Sequence, residues 1–302
     1  MSKANAGSPV PRCWFIALAN ACAACLARLP QPLLLGLGAV LTWLLWPLLG
    51  KRRHYAMINI DLCFPEDDAA ARRALLRANV RATVTGALEL IRGWYAPART
   101  LQGLAEIEGL DRLRVARAAG RGVLLLSGHF PYSELCARFI AEALGERVSI
   151  LARSNNDPCL ERLLDGARRR VFADVIAKKD TRGLMRKLAR GGIVAYSADQ
   201  NFNYQNAFVP FFGVQASTLV ITPELAERAG AVVLPTWCHR GADGRYRIRI
   251  EPAWEAWPSG DPVADAAHYM RELEAVVREH PEQYLWVHRR FKTRPAGEPA
   301  LY

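Results

Sequence analysis

The chain reads as an α/β protein on three observations: short apolar runs alternate with amphipathic stretches after about residue 120, each run ends in polar residues, and one strongly apolar segment precedes them all. The runs Gly122 to Ser127, Arg147 to Ala152, Gly192 to Ala198 and Ala231 to Thr236 have the length and content of buried parallel strands. Helical periodicity falls between and after them, at Tyr132 to Leu144, Pro158 to Val171, Thr181 to Ala189 and Thr222 to Ala229. Upstream, Ala69 to Tyr95 carries apolar positions at helical spacing, including Val80, Val84, Leu88 and Ile91. Downstream, Arg245 to Ile250 alternates basic and apolar residues as a half-exposed strand near a sheet edge does, and Ala267 to Glu279 reads as a helix that stops before Pro281.

At 302 residues and 51% hydrophobic, the chain can bury a sizeable core, which excludes general disorder. Forty Lys and Arg against 29 Asp and Glu leave a formal charge of +11, favouring anionic lipids, phosphorylated substrates, acidic proteins or nucleic acid. Zinc-ligand spacing and aromatic RNA-binding signatures are absent, which argues against nucleic acid. The seven cysteines are expected as free thiols of a reducing compartment, and Cys22 with Cys25 as small residues on an apolar helix, so no metal site is expected.

Residues 1–50 are expected to form an N-terminal membrane anchor, single-pass or re-entrant, and residues 51–302 one further domain. Trp14 to Ala27 is almost wholly apolar, and Leu33 to Gly50 gives eighteen residues without a charge before Lys51, Arg52 and Arg53. That length approaches the ~20 residues that span a bilayer, and the basic cluster belongs on the cytoplasmic side. A cleaved signal peptide and a buried core hairpin are the competing readings.

Open α/β sheets bind ligands beyond the carboxyl ends of their strands, so the polar residues that follow each run are expected to converge on one crevice. They are Ser127-Gly128-His129, Arg153-Ser154, Asp199-Gln200, and Trp237 with His239 and Arg240. His129 lies in a strand-to-helix turn and Glu134 in the first turn of the next helix. On one continuous helix their side chains would stand ~140° apart, but a histidine still in the loop can fold back towards the carboxylate. A carboxylate that fixes the imidazole tautomer lets the other ring nitrogen take a proton from a hydroxyl, the step that acyl transfer from a thioester requires. By itself the pattern fits a helix-capping pair equally well.

The wider sequence resembles the bacterial lipid A biosynthesis acyltransferase family, the lauroyl- and myristoyl-transferases. The matching blocks include Asn59-Ile60-Asp61-Leu62-Cys63-Phe64-Pro65, Leu124-Leu125-Leu126-Ser127-Gly128-His129-Phe130 with Glu134, Ala198-Asp199-Gln200, Phe208-Val209-Pro210-Phe211-Phe212-Gly213, and Pro281-Glu282-Gln283-Tyr284-Leu285-Trp286 into His288-Arg289-Arg290. The resemblance implies a lysophospholipid-acyltransferase-like mixed sheet flanked by helices, with an N-terminal membrane-anchoring helical segment. It implies His129 and Glu134 as the catalytic pair and sets Arg153 and Asp199 close to the active centre; with Gln200 beside Asp199, and Arg170 from the basic cluster after the second strand, these are the expected substrate-binding residues. It further implies acyl carrier protein as donor, a phosphorylated lipid A precursor as acceptor, no cofactor, and a place on the bacterial inner membrane with the catalytic domain on the cytoplasmic side.

One departure is Pro131-Tyr132-Ser133, where many relatives carry Gly-Asn-Trp. The alternative enzyme, a glycerophospholipid acyltransferase, usually adds a Gly-Thr-Arg-Ser block that this chain lacks. A serine hydrolase would need the Gly-x-Ser-x-Gly elbow, which is also absent.

Overall fold

The computed structural model describes residues 13–302. A short connection joins helix α1 (Phe15–Leu26) to α2 (Gln31–Leu45), and α2 runs on through the tight turn Trp46–Leu49 into α3 (Gly50–Cys63). Then follow α4 (Ala69–Tyr95), a one-turn α5 (Ala98–Leu101), β1 (Ala105–Glu108), α6 (Leu110–Ala118), β2 (Val123–Ser127) and α7 (Ser133–Leu144). The chain continues through β3 (Ser149–Ala152), α8 (Pro158–Arg168), β4 (Val175–Ala177), α9 (Thr181–Ala189), β5 (Ile193–Ser197), β6 (Asn206–Phe211) and β7 (Val214–Leu219). It closes with α10 (Thr222–Arg228), β8 (Val232–Arg240), β9 (Tyr246–Ile250) and α11 (Pro262–Glu279).

Seven strands make one sheet in the order β1-β9-β8-β2-β5-β3-β4, and β6 and β7 pair in a separate hairpin. All neighbours in the sheet run parallel except β8 and β9. The expected α/β class is therefore observed, with each expected strand present. The Arg245–Ile250 strand lies one position in from the edge, beside the short β1. Its alternation has a direct cause: Tyr246, Ile248 and Ile250 are buried while Arg247 and Arg249 are half-exposed.

Helix starts follow their local chemistry. Asp68 accepts from the backbone N–H groups of Ala70 and Ala71 at 2.8 and 2.7 Å to begin α4, and Asp157 accepts from Leu160 at 2.7 Å, with Pro158 at the first position of α8. The helix α4 is the long strut of the molecule. Its glycines let other elements come close: a Cβ on Gly86 would lie 2.2 Å from Cβ of Pro131, and one on Gly93 would lie 3.2 Å from Cα of Leu135. The turn after β2 and the start of α7 thus rest directly on α4.

The expectation of free thiols is corrected at two places. Cys13 pairs with Cys159, joining the start of α1 to α8, and Cys136 pairs with Cys238, joining α7 to β8. Cys22, Cys25 and Cys63 are free thiols. Spacing along the chain could not anticipate either pair, since the partners are 146 and 102 residues apart.

Candidate active site

The site begins with register. Strands β2 and β5 are adjacent and parallel, with Ser127 opposite Ser197. Two residues further along each strand direction stand His129 and Asp199, brought to the same level by that pairing. Nδ1 of His129 lies 2.6 Å from Oδ1 of Asp199, and the backbone N–H of His129 donates to Oδ2 at 3.1 Å. Tyr284 donates its hydroxyl to the same Oδ2 at 2.8 Å. The Asp199 side chain is 1% exposed and that of His129 30% exposed, so the pair reaches solvent only through the imidazole.

Burial works to raise the pKa of Asp199, but the positive potential of His129 and the hydrogen bonds from His129 and Tyr284 outweigh it and hold the carboxyl well below the usual range. Tyr284 is pushed up by burial and by the Asp199 charge, so it remains a protonated donor. Behind them His288 is pushed down to about 4 by burial and then by His129. It stays neutral near pH 7 and accepts the backbone N–H of Asn201 at 3.2 Å. The Asp199 carboxylate thus occupies Nδ1 of the imidazole and leaves Nε2 turned away from it.

This geometry corrects the expectation that Glu134 orients the imidazole, because Nδ1 is occupied by Asp199. Glu134, in the first turn of α7, is instead gripped by two other residues. The indole N–H of Trp94 donates to Oε2 at 2.7 Å, and Arg168 meets both oxygens, with Nη2 2.8 Å from Oε1. The guanidinium of Arg168 also stands 5.4 Å from the Trp94 ring centre.

The two partners of Glu134 open onto different cavities. Arg168 lines a polar cavity of about 550 Å³ with Arg153, Arg162 and Arg169, and Trp94 lines an apolar one of about 300 Å³ with Ala19, Cys22, Leu163 and Leu164. Helix α8 separates them, with Leu163, Leu164 and Ala167 towards the apolar side and Glu161, Arg162, Asp165 and Arg168 towards the polar side. His129 and Asp199 line neither.

The remaining expected residues divide. Arg153 is exposed in the polar cavity; burial lowers the pKa of Lys178 against the opposing charge of Asp199, and Arg153 adds to the lowering. Gln200 accepts from Lys178 Nζ at 3.1 Å, which places the residue beside the pair but commits its side-chain oxygen. Arg170 stacks over Tyr95 at 5.0 Å from the ring centre and does not line the polar cavity. Trp94 and Tyr284 were not singled out by sequence reasoning as site residues. The only signal for Tyr284 was its place in the Pro281–Trp286 block.

The turn itself is closely held. Tyr269 donates to the carbonyl of Ser127 at 2.8 Å, Ser197 to that of Gly128 at 3.2 Å, and the N–H of Leu285 to that of His129 at 3.2 Å. A Cβ on Gly128 would stand 2.5 Å from the Leu273 side chain. Tyr284→Phe removes one hydrogen bond to a carboxylate, an interaction worth ~1.5–3 kcal/mol, so turnover is expected to fall roughly 10- to 100-fold with little change in KM. Steady-state kinetics with the purified variant checks this.

Adjacent central strands thus deliver a histidine and a buried carboxylate to their carboxyl ends, with a cationic and an apolar cavity on the two sides of α8, an arrangement that suits acyl transfer. The profile described as "Bacterial lipid A biosynthesis acyltransferase" matches residues 1–293. The chain is 33% identical over 278 residues to the lipid A biosynthesis palmitoleoyltransferase of Escherichia coli (strain K12), covering 91% of this chain and 90% of that protein. It is 32% identical over 295 residues to the lauroyltransferase of the same organism, covering 97% and 96%, and 27% identical over 263 residues to the myristoyltransferase, covering 84% and 80%. The chain belongs to the bacterial lipid A biosynthesis acyltransferase family.

Proposed function

We propose that this enzyme transfers a fatty acyl chain from an acyl carrier protein thioester to a hydroxyl of a phosphorylated lipid A precursor, working on the inner membrane from the cytoplasmic side. The observation that carries the reading is the His129–Asp199 pair, with Nδ1 tied to a buried carboxylate and the imidazole otherwise the exposed member. Nε2 of His129 takes the proton of the acceptor hydroxyl as its oxygen attacks the thioester carbonyl. The tetrahedral oxyanion then collapses, the carbon–sulfur bond breaks, and the proton passes from the imidazolium to the leaving thiolate. No cofactor enters these steps.

Arg153, Arg162 and Arg169 in the polar cavity supply cations for phosphate groups of the acceptor or the donor's prosthetic arm. Arg168, neutralised by Glu134, forms the wall between that cavity and the apolar one, where hydrocarbon is accommodated without unpaired polar groups. Purified enzyme in detergent, given an acyl carrier protein thioester and a purified lipid A precursor, is expected to raise the precursor mass by one acyl group. Lysophosphatidic acid acylated in its place would overturn the acceptor assignment.

A further inference from the structure

Seven of the eleven large apolar side chains exposed among the described residues lie between Trp14 and Leu48, Leu18, Leu33, Val40 and Trp43 among them. So dense a patch on one segment marks a surface that meets something apolar. The opposite side of α2 is committed: Leu34, Gly38 and Thr42 are buried, and a Cβ on Gly38 would lie 2.3 Å from Oγ1 of Thr85 on α4. Helix Gln31–Cys63 is long and apolar enough to cross a membrane. Its neighbours decide whether it does.

Both ends of α2 are fastened to the same body. At the start, Gln31 donates to the carbonyl of Gly244 at 2.9 Å, and Arg92 of α4 donates to Gln31 and to the carbonyl of Leu29. At the far end, α3 is held by Asn59, which donates to the carbonyls of Trp286 and His288 at 2.6 and 2.7 Å. Helix α1 returns to that body too, through the Tyr95 hydroxyl, which donates to Asn20. Held at both ends and packed along α4, α2 cannot enter hydrocarbon without the strut beside it.

To span, the Gln31–Cys63 helix would have to pass a hydrocarbon core ~30 Å thick. Carrying α2 through that core would also carry α4, with exposed Arg77 and Arg81 and the buried Glu89–Arg240 pair, into hydrocarbon. Each charge there costs ~2.5–3.5 kcal/mol or more. The flanks carry exposed Arg28, Lys51 and Arg52, and Arg53 stacks on Trp46 at 4.2 Å, the usual dress of a segment at the headgroup level.

Resting on the inner-membrane placement above, we propose that helices α1 and α2 lie in the plane of the cytoplasmic leaflet, their exposed apolar face immersed and their other face kept on α4, without spanning the bilayer. A protease-cleavable tag ahead of the N-terminus tests this in sealed membranes. The tag is expected to be cut in inside-out vesicles and protected in intact spheroplasts. Cutting in spheroplasts overturns the inference. Turnover by the same inside-out vesicles with thioester supplied from outside reads the functional placement separately, so active vesicles whose tag faces the periplasm would refute only the in-plane geometry. The pair Trp43→Glu with Leu48→Glu is expected to lower the membrane-retained fraction at high salt by at least about tenfold while leaving turnover in detergent unchanged. Unaltered retention would overturn the assigned face.

Discussion

His129→Ala is expected to lower kcat by ~100- to 10,000-fold while KM and the folded structure stay close to wild type. In the proposed reaction the imidazole acts through Nε2, and its environment is otherwise built from neighbours that persist without it: Asp199 keeps the Tyr284 hydroxyl, and the turn keeps its bonds from Tyr269, Ser197 and Leu285. The check is the rate of single acyl addition to the lipid A precursor, with circular dichroism confirming the fold. Near-normal turnover, or an acyl-enzyme trapped on Ser127 or a free cysteine, would replace direct transfer by covalent catalysis.

Asp199→Asn is expected to be nearly as severe, up to roughly 10,000-fold in kcat, although it changes one atom. An amide can turn its NH2 towards Nδ1, which moves the imidazole proton to Nε2 and removes the acceptor. Combined with His129→Ala, the loss should not multiply, because both changes disable one proton relay. Glu134→Gln is different in kind. It keeps an oxygen for the Trp94 indole but loses the charge that Arg168 meets at 2.8 Å, so its loss should be shared with Arg168→Gln in a double-mutant cycle. Full turnover in Asp199→Asn, with Glu134→Gln inactive and non-additive with His129→Ala, would return the orienting role to Glu134.

That exchange of partners shows where the sequence stops. The strand that ends at Ser127 and the one that ends at Ser197 were both legible from apolar runs, and so were the polar residues beyond them. Strand order was not, because adjacency of β2 and β5 arises from packing of the intervening helices and leaves no local pattern. With order unknown, the nearest carboxylate along the chain stood in for the nearest one in space. Trp94 and Tyr284 arrive from α4 and from the segment after α11, and as single aromatics in apolar surroundings they look like core until their polar atoms are placed. The β6–β7 hairpin escaped as well. Its turn, Phe212-Gly213, has positive φ at both residues, 53° and 73°, and a Phe at the first of these gives none of the usual Asn-Gly or Asp-Gly signal.

The seat of Arg92 makes the N-terminal helices part of the folding unit. Arg92 and Glu89 are fully buried on α4, Arg92 under Leu29 and Gln31, and Glu89 against Arg240 and Tyr246. Trimming the chain to a soluble remnant would remove the acceptors that Leu29 and Gln31 offer Arg92 and bare the face of α4 against which Leu34, Gly38 and Thr42 are buried. Whole domains retain only ~5–15 kcal/mol, so exposing that packed face would consume part of a small margin. These helices and the sheet should therefore melt together, and solubility is better sought by recolouring the exposed face of α2 with polar side chains than by cutting the helix away.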